Sequence, residues 1–357
     1  MMERCDIVSY QLGQKIRELK PYDPISGQFE VRLDANESFF PVDGKLLEEM
    51  KAALARVDFH RYPDPYAVRL IEGFAAFYGV SPDHVTAGNG SDELIGVITS
   101  SFLEKGDVIV TLSPDFSMYR FYASIYEVKN IDVSKEGSLK IDVDEAIARI
   151  REAGARMVIF SNPCNPTSLG LSKEDVHKLV TSVDALVVVD EAYMDFWDQS
   201  ILSQAHTYEN VIVLRTCSKA LGMAALRLGF AVACDAITTA LRAVKSPYNV
   251  NSISQEMGTV LFSHPDLIEK RRDAIIASRV SLEAGLRALS DRVDGIECIY
   301  PSCTNFVFVR MKDAKAVFER LLSMSVAVRL MGNHLRISAG SEQENEKVLR
   351  CLEAILQ

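Results

Sequence analysis

Short apolar runs recur along most of this chain, with longer stretches of helical periodicity between them. Residues 45–56 and 66–78 repeat apolar side chains at helical spacing and predict two helices. A short strand before Gly88 follows, and Ser91-Asp92-Glu93 opens the next helix. Strands are expected at 107–112, 126–131, 157–160, 185–189, 211–214 and 228–233. Such β-branched runs, apolar throughout and separated by helices, mark buried and mostly parallel strands of an α/β sheet. The pattern changes after Pro265, which starts a long amphipathic helix reaching about Leu289. Strands 296–300, 305–310, 326–330 and 335–339 then mix with helices 313–323 and 342–356 in an α+β order. Residues 1–44 hold Pro21, Pro24, Gly27 and Pro41 around one short strand, Phe29 to Leu33. The expected organisation is an arm with part of a small domain (1–44), a large domain (45–255) and a smaller C-terminal domain (256–357).

The 357 residues are 48% hydrophobic and 25% charged, the balance of a soluble globular protein with two domains. A formal charge of -10 argues against nucleic acid as a partner, so bound anions must meet a local cationic site. Seven cysteines are scattered without a CxxC pair, as expected for free thiols in the cytoplasm. No run reaches membrane-spanning length and the charged N-terminus lacks a signal-peptide core, so no membrane partner is expected. The six histidines lack ligand spacing, and no metal site is expected.

The candidate chemistry gathers just past the ends of the strands. Lys219 lies in Thr216-Cys217-Ser218-Lys219, with Arg227 eight residues on. A lone lysine at a helix start is ordinarily a surface residue. Here hydroxyls precede it and a guanidinium follows, a donor set suited to a phosphate. Asp190 directly follows Leu186-Val187-Val188-Val189, and a carboxylate ending a buried strand needs a partner. An amine for an aldehyde, a carboxylate for a ring nitrogen and a phosphate cup together describe a pocket for pyridoxal 5′-phosphate (PLP). Lys219 would form the Schiff base and shuttle protons. Asp190 would keep the pyridine nitrogen protonated. Tyr193 and Asn165 would bond the ring's phenolic oxygen, and Phe116 would stack on the ring. Gly88 to Glu93 would turn a helix N-terminus toward the phosphate. Arg329 and Arg336, ending two late strands, would converge on an anionic group of substrate.

These blocks in this order resemble the fold-type I PLP-dependent aminotransferases, and within them the histidinol-phosphate aminotransferase family. The resemblance runs from about Tyr22 to Gly340 and includes Leu33-Asp34-Ala35-Asn36-Glu37, Tyr62-Pro63-Asp64-Pro65, Asp190-Glu191-Ala192-Tyr193 and Leu335-Arg336-Ile337. It implies a large domain with a mostly parallel sheet between helices plus a smaller α+β C-terminal domain. Lys219, Asp190 and Tyr193 would be catalytic. Ser91, Asp92, Thr216, Ser218 and Arg227 would form the phosphate cup, completed by Tyr62 from the neighbouring subunit of a homodimer. Tyr22, Asn36, Arg329 and Arg336 would bind substrate, Arg336 through its α-carboxylate. The substrates implied are small anionic amino acids and phosphorylated compounds, with glutamate and 2-oxoglutarate as the exchanging pair. Two features depart from the family: its Asn-Pro-Thr-Gly turn has Ser168 in place of glycine, and Phe116 stands where a tyrosine is usual. A threonine-phosphate decarboxylase-like lyase and an aromatic or other amino-acid aminotransferase remain alternatives. A regulator with an aminotransferase-like domain fits poorly, because the short arm has no room for a DNA-binding module.

Overall fold

The computed structural model describes residues 10–357 except 18, 20, 22, 23 and 136, so the expectation for Tyr22 lies outside the described residues. The chain starts with a four-residue turn of helix, α1 (Gln14–Arg17), and a two-residue strand, β1 (Val31–Arg32). Helices α2 (Gly44–Leu54) and α3 (Val68–Tyr78) follow. The main sheet then begins, with β2 (Val85–Gly88), α4 (Ser91–Phe102), β3 (Val108–Ser113), α5 (Met118–Ile125), β4 (Lys129–Ser134), α6 (Val143–Glu152), β5 (Met157–Ser161), α7 (Lys173–Ser182), β6 (Leu186–Asp190), β7 (Val211–Thr216) and β8 (Gly229–Ala233). Its order is β2-β8-β7-β6-β5-β3-β4. Neighbours from β4 to β7 pair in parallel, and β8 runs antiparallel to both β7 and β2.

Strands β5 to β8 are almost wholly buried, because helices cover both faces of the sheet. One apolar cluster, containing Phe74, Phe160, Val187, Val213 and Phe230, fills one side. A second, containing Ile95, Ile98, Ile159, Val188 and Leu214, fills the other. Alternate residues of the same strand therefore enter opposite clusters, as the two-residue period of a strand requires. Burying each of these large side chains contributes on the order of 2 kcal/mol.

Helices α8 (Asp235–Val244), α9 (Ser252–Phe262) and α10 (Pro265–Ser290) lead to a second sheet. The chain then runs through β9 (Ile296–Ile299), β10 (Phe306–Met311), α11 (Ala314–Ser323), β11 (Val326–Ala327), β12 (Arg329–Met331), β13 (His334–Ser338) and α12 (Glu342–Leu356). Four strands form an antiparallel sheet of order β12-β13-β10-β9, and β11 instead pairs in parallel with β1. Ile268 and Ile275 of α10 pack in the large-sheet cluster, whereas Leu282, Leu286 and Leu289 pack in the small one. The single long helix thus ties the two cores together. A capping box at Ser341 and Glu344 starts α12.

The strand expected from Phe29 to Leu33 is confined to Val31–Arg32, and two further strands differ from the sequence expectation for a visible reason. The run 126–131 becomes a strand only at Lys129, because Tyr126 ends α5 and the register with β3 starts at Val108↔Lys129. The single strand 326–330 is broken at Val328, where the chain leaves β1 and turns to pair with β13.

Candidate active site

The carboxyl ends of the parallel strands carry the candidate chemistry, the usual place for a ligand in an open α/β sheet. Asp190 is the last residue of β6, Thr216 the last of β7, and Asn165 follows β5 closely. Together they border a cleft of about 320 Å³ with Phe116, Tyr193, Ser218, Lys219, Arg227, Arg329 and Arg336. Tyr62 does not line it; that ring is exposed and stacks on Tyr248 at 4.5 Å.

Lys219 is half-buried, and its Nζ donates to the Ala35 carbonyl at 2.9 Å. The amine is therefore aimed by the N-terminal segment, from 184 residues away. Asn36 holds that segment in place. Its left-handed backbone (φ 55) is paired with a fully committed side chain. Nδ2 donates to the Tyr193 hydroxyl at 2.9 Å, and Oδ1 accepts from Ser338 Oγ at 2.9 Å. Tyr193 accepts there, which leaves its own proton for an acceptor in the cleft.

Asp190 is buried and accepts from Tyr119 Oη at 2.8 Å and from the Ala192 amide at 3.1 Å. Burial raises its pKa to about 6 against the pull of those two donors. A buried carboxylate with two neutral donors and, among the described residues, no ion pair to a cation fits a cationic ring nitrogen as its third partner. Tyr119 was not singled out by sequence, since a tyrosine at helical spacing reads as core.

At the other end lies an anion cup. Helix α4 begins at Ser91 with Gly90 as N-cap and no capping side chain, so its first N–H groups have no acceptor within the helix. Gly229 makes this approach possible. A Cβ there would sit 2.2 Å from the Ser91 amide nitrogen. Arg227 adopts φ 52, and its Nη1 donates to Ser218 Oγ at 3.3 Å. Thr216 Oγ1 lies 3.0 Å from the same hydroxyl. Burial raises the Asp92 carboxyl while Arg227 pulls it down. A carboxylate repels a phosphate, so Asp92 can serve an anion through its backbone amide.

Arg329 and Arg336 are direct cross-strand partners on β12 and β13, and both border the cleft. Two guanidinium groups side by side on one face of a sheet can both donate to the same anion. Arg336 is buried, with Nη1 donating to Asn165 Oδ1 at 2.6 Å and Nη2 to the Asp34 carbonyl at 2.6 Å. The Asn165 oxygen is thus used by Arg336, and its amide nitrogen is the end available to an acceptor. Ser168 does take up the conformation that glycine favours, at φ 67. Its hydroxyl lies 3.0 Å from Thr304 Oγ1, a bond that glycine could not make and that offsets part of the strain.

These residues fit one small, flat, phosphorylated molecule with an aldehyde. The chain belongs to the class I and II aminotransferases, whose family model matches residues 30–352. It is 37% identical over 342 residues to the histidinol-phosphate aminotransferase of Clostridium novyi (strain NT), covering 94% of this chain and 95% of that protein. Its fold matches the crystal structure of histidinol-phosphate aminotransferase from Sinorhizobium meliloti in complex with pyridoxal-5′-phosphate, with a TM-score of 0.88, 23% identity and 98% of each chain covered. L-threonine-O-3-phosphate decarboxylase from Porphyromonas gingivalis also shares the fold, with a TM-score of 0.77, 21% identity, 91% of this chain and 99% of that one covered.

Proposed function

We propose that this aminotransferase moves an amino group between L-histidinol phosphate and 2-oxoglutarate, giving imidazole-acetol phosphate and L-glutamate, with PLP as cofactor. The observation that carries the reading is one cleft lined by Lys219, by Asp190, by the hydroxyls and guanidinium of Thr216, Ser218 and Arg227, and by the cross-strand pair Arg329 and Arg336. The similarity to the Clostridium novyi enzyme over nearly the whole chain supports the substrate.

PLP would supply an aldehyde for amines and a ring that takes up electron density from the substrate's Cα. The chain would supply position and protons. Ser91, Asp92, Thr216, Ser218 and Arg227 would hold the phosphate, with Phe116 beside the ring. Asp190 would hold a proton on the pyridine nitrogen. Tyr193 and the Asn165 amide would donate to the phenolic oxygen. Lys219 would take the proton from the substrate's Cα and deliver it to the carbon that had been the cofactor's aldehyde. Arg336 would clamp a carboxylate, and Arg329 would share the load of a substrate phosphate.

Replacing Arg336 by alanine should raise KM for glutamate and for histidinol phosphate by about 10- to 100-fold, the worth of a charge-assisted fork, and change kcat less. Arg336→Lys should recover only part of that, since an ammonium lacks the fork. Unchanged KM values in both variants would place the anion site elsewhere. An amino-acceptor panel with glutamate as donor, run beside the reverse reaction with histidinol phosphate, tests the substrate. Release of CO2 from O-phosphothreonine without an acceptor would favour a lyase instead.

A homodimer completes this reading, with Tyr62 reaching the cofactor phosphate of the other copy. Phe59, Tyr62, Tyr66 and Tyr248 are all exposed, which supports an interface there. Sedimentation should give twice the 39.6 kDa chain mass, and a fully active monomer would refute it. The proposed compartment is the cytoplasm, which the free cysteines among the described residues support.

A further inference from the structure

In the cleft wall, just past the carboxyl ends of β3 and β4, lies a buried ion pair that the reaction outlined above does not use. The side chains of Asp115 and Lys135 are 3% and 2% exposed, and Lys135 Nζ sits 3.5 Å from Asp115 Oδ2. Lys135 also donates to the Pro114 carbonyl at 3.0 Å and to Cys164 Sγ at 3.0 Å. Two charges removed from water cost several kcal/mol each unless well paired, so hydrophobic residues would serve simple packing better.

The carboxylate does more than answer the lysine. Asp115 Oδ1 accepts from the Phe116 amide at 2.8 Å and from Ser161 Oγ, and Oδ2 accepts from the Ser161 amide at 3.2 Å. Because the Ser161 hydroxyl gives its proton to Asp115, its lone pairs face the other way. They accept from the Asn165 backbone N–H at 3.1 Å. Asn165 in turn accepts from Arg336. Bonds therefore run without a gap from Lys135 through Asp115, Ser161 and Asn165 to the arginine of the substrate site. A neutral residue at 115 could not accept three donors at once in this geometry.

We propose that Asp115 is a positioning residue, held in place by Lys135, which sets Phe116 and, through Ser161 and the Asn165 backbone, the Asn165 side-chain amide at the cofactor's ring. The inference rests on the PLP reading above. It differs from a purely structural ion pair in what it moves. Loosening Asn165 weakens a donor to the phenolic oxygen, so the Schiff-base nitrogen of the bound cofactor should become harder to deprotonate.

The test compares holoenzyme of the parent chain with Asp115→Asn and Ser161→Ala. The readout is the pH midpoint of the cofactor's visible absorbance change, with KM for glutamate beside it. Both variants should raise the midpoint by about one pH unit and raise KM roughly tenfold, the effect of about one lost hydrogen bond to a charged group. Ser161→Ala keeps the ion pair, so it remains informative if Asp115→Asn does not fold. A midpoint and KM equal to the parent's in Ser161→Ala, or in a folded Asp115→Asn, would overturn the proposal. A parent chain with no visible PLP band would instead overturn the cofactor reading beneath it.

Discussion

Replacing Lys219 by alanine should lower transamination by roughly 10⁴-fold or more, because one amine serves both as attachment point and as proton carrier. The fold should survive. Lys219 is half-buried, and the hydrogen bond seen for its amine ends on the backbone carbonyl of Ala35, a group that water can also satisfy. Thermal unfolding of the variant should therefore remain cooperative and near the parent's midpoint. The loss should fall on kcat, since no contact that holds substrate carboxylate or phosphate is touched. Substantial turnover by the variant would remove the proposed mechanism, whatever the substrate proved to be.

Asp190→Asn should produce the next largest effect, and in two opposite directions. Turnover should fall on the order of 10³-fold, because the ring nitrogen loses the charge that keeps it protonated. The cofactor-free protein should become more stable at neutral pH. Burial raises this carboxyl from 3.8 to about 6, which corresponds to about 3 kcal/mol at 1.36 kcal/mol per pH unit. The sign follows from proton binding. Between pH 3.8 and 6 the folded chain holds a proton that the unfolded chain releases, so folding becomes less favourable as pH rises through that window. Above about pH 6 the wild-type chain carries the full penalty, and the amide variant carries none. The stability gain should therefore appear at pH 8 and vanish near pH 4. Asp115 and Glu191, also raised by burial, are common to both proteins and cancel in the difference. Equal denaturation midpoints at pH 8 would show that Asp190 is stabilised by something other than a cofactor.

The Asp190 prediction uses a tension in the fold: residues arranged for a reaction are not those that pack best. The clearest case is Asp190, a carboxylate held in a buried position that raises its pKa to about 6.

Much of this was legible in the sequence. Runs such as Leu186 to Val189 predict buried strands, and Asp190, Asn165 and Lys219 stand just beyond such runs. Strand ends in a parallel sheet share one edge, so residues far apart in the chain fall together there. The edge strand β4 was harder to place. Lys-Asn-Ile-Asp-Val-Ser is polar at alternate positions, and the apolar residues before it belong to α5 and the loop beyond. The break at Val328 was not legible either, since it depends on β1, nearly 300 residues earlier. Long-range side-chain pairs were hidden for the same reason. Nothing local marks Asn36 as the partner of Tyr193 and Ser338, or Ala35 as the acceptor of Lys219. Asp115 and Lys135 each look like surface charges in sequence, and only the fold buries them together.

The central claim is a covalent bond between PLP and Lys219, and borohydride reduction of the purified holoenzyme followed by peptide mass mapping tests it most directly. A reduced pyridoxyl group on the peptide containing position 219 is the predicted result. An unmodified Lys219, or the adduct on a different lysine, would contradict the account.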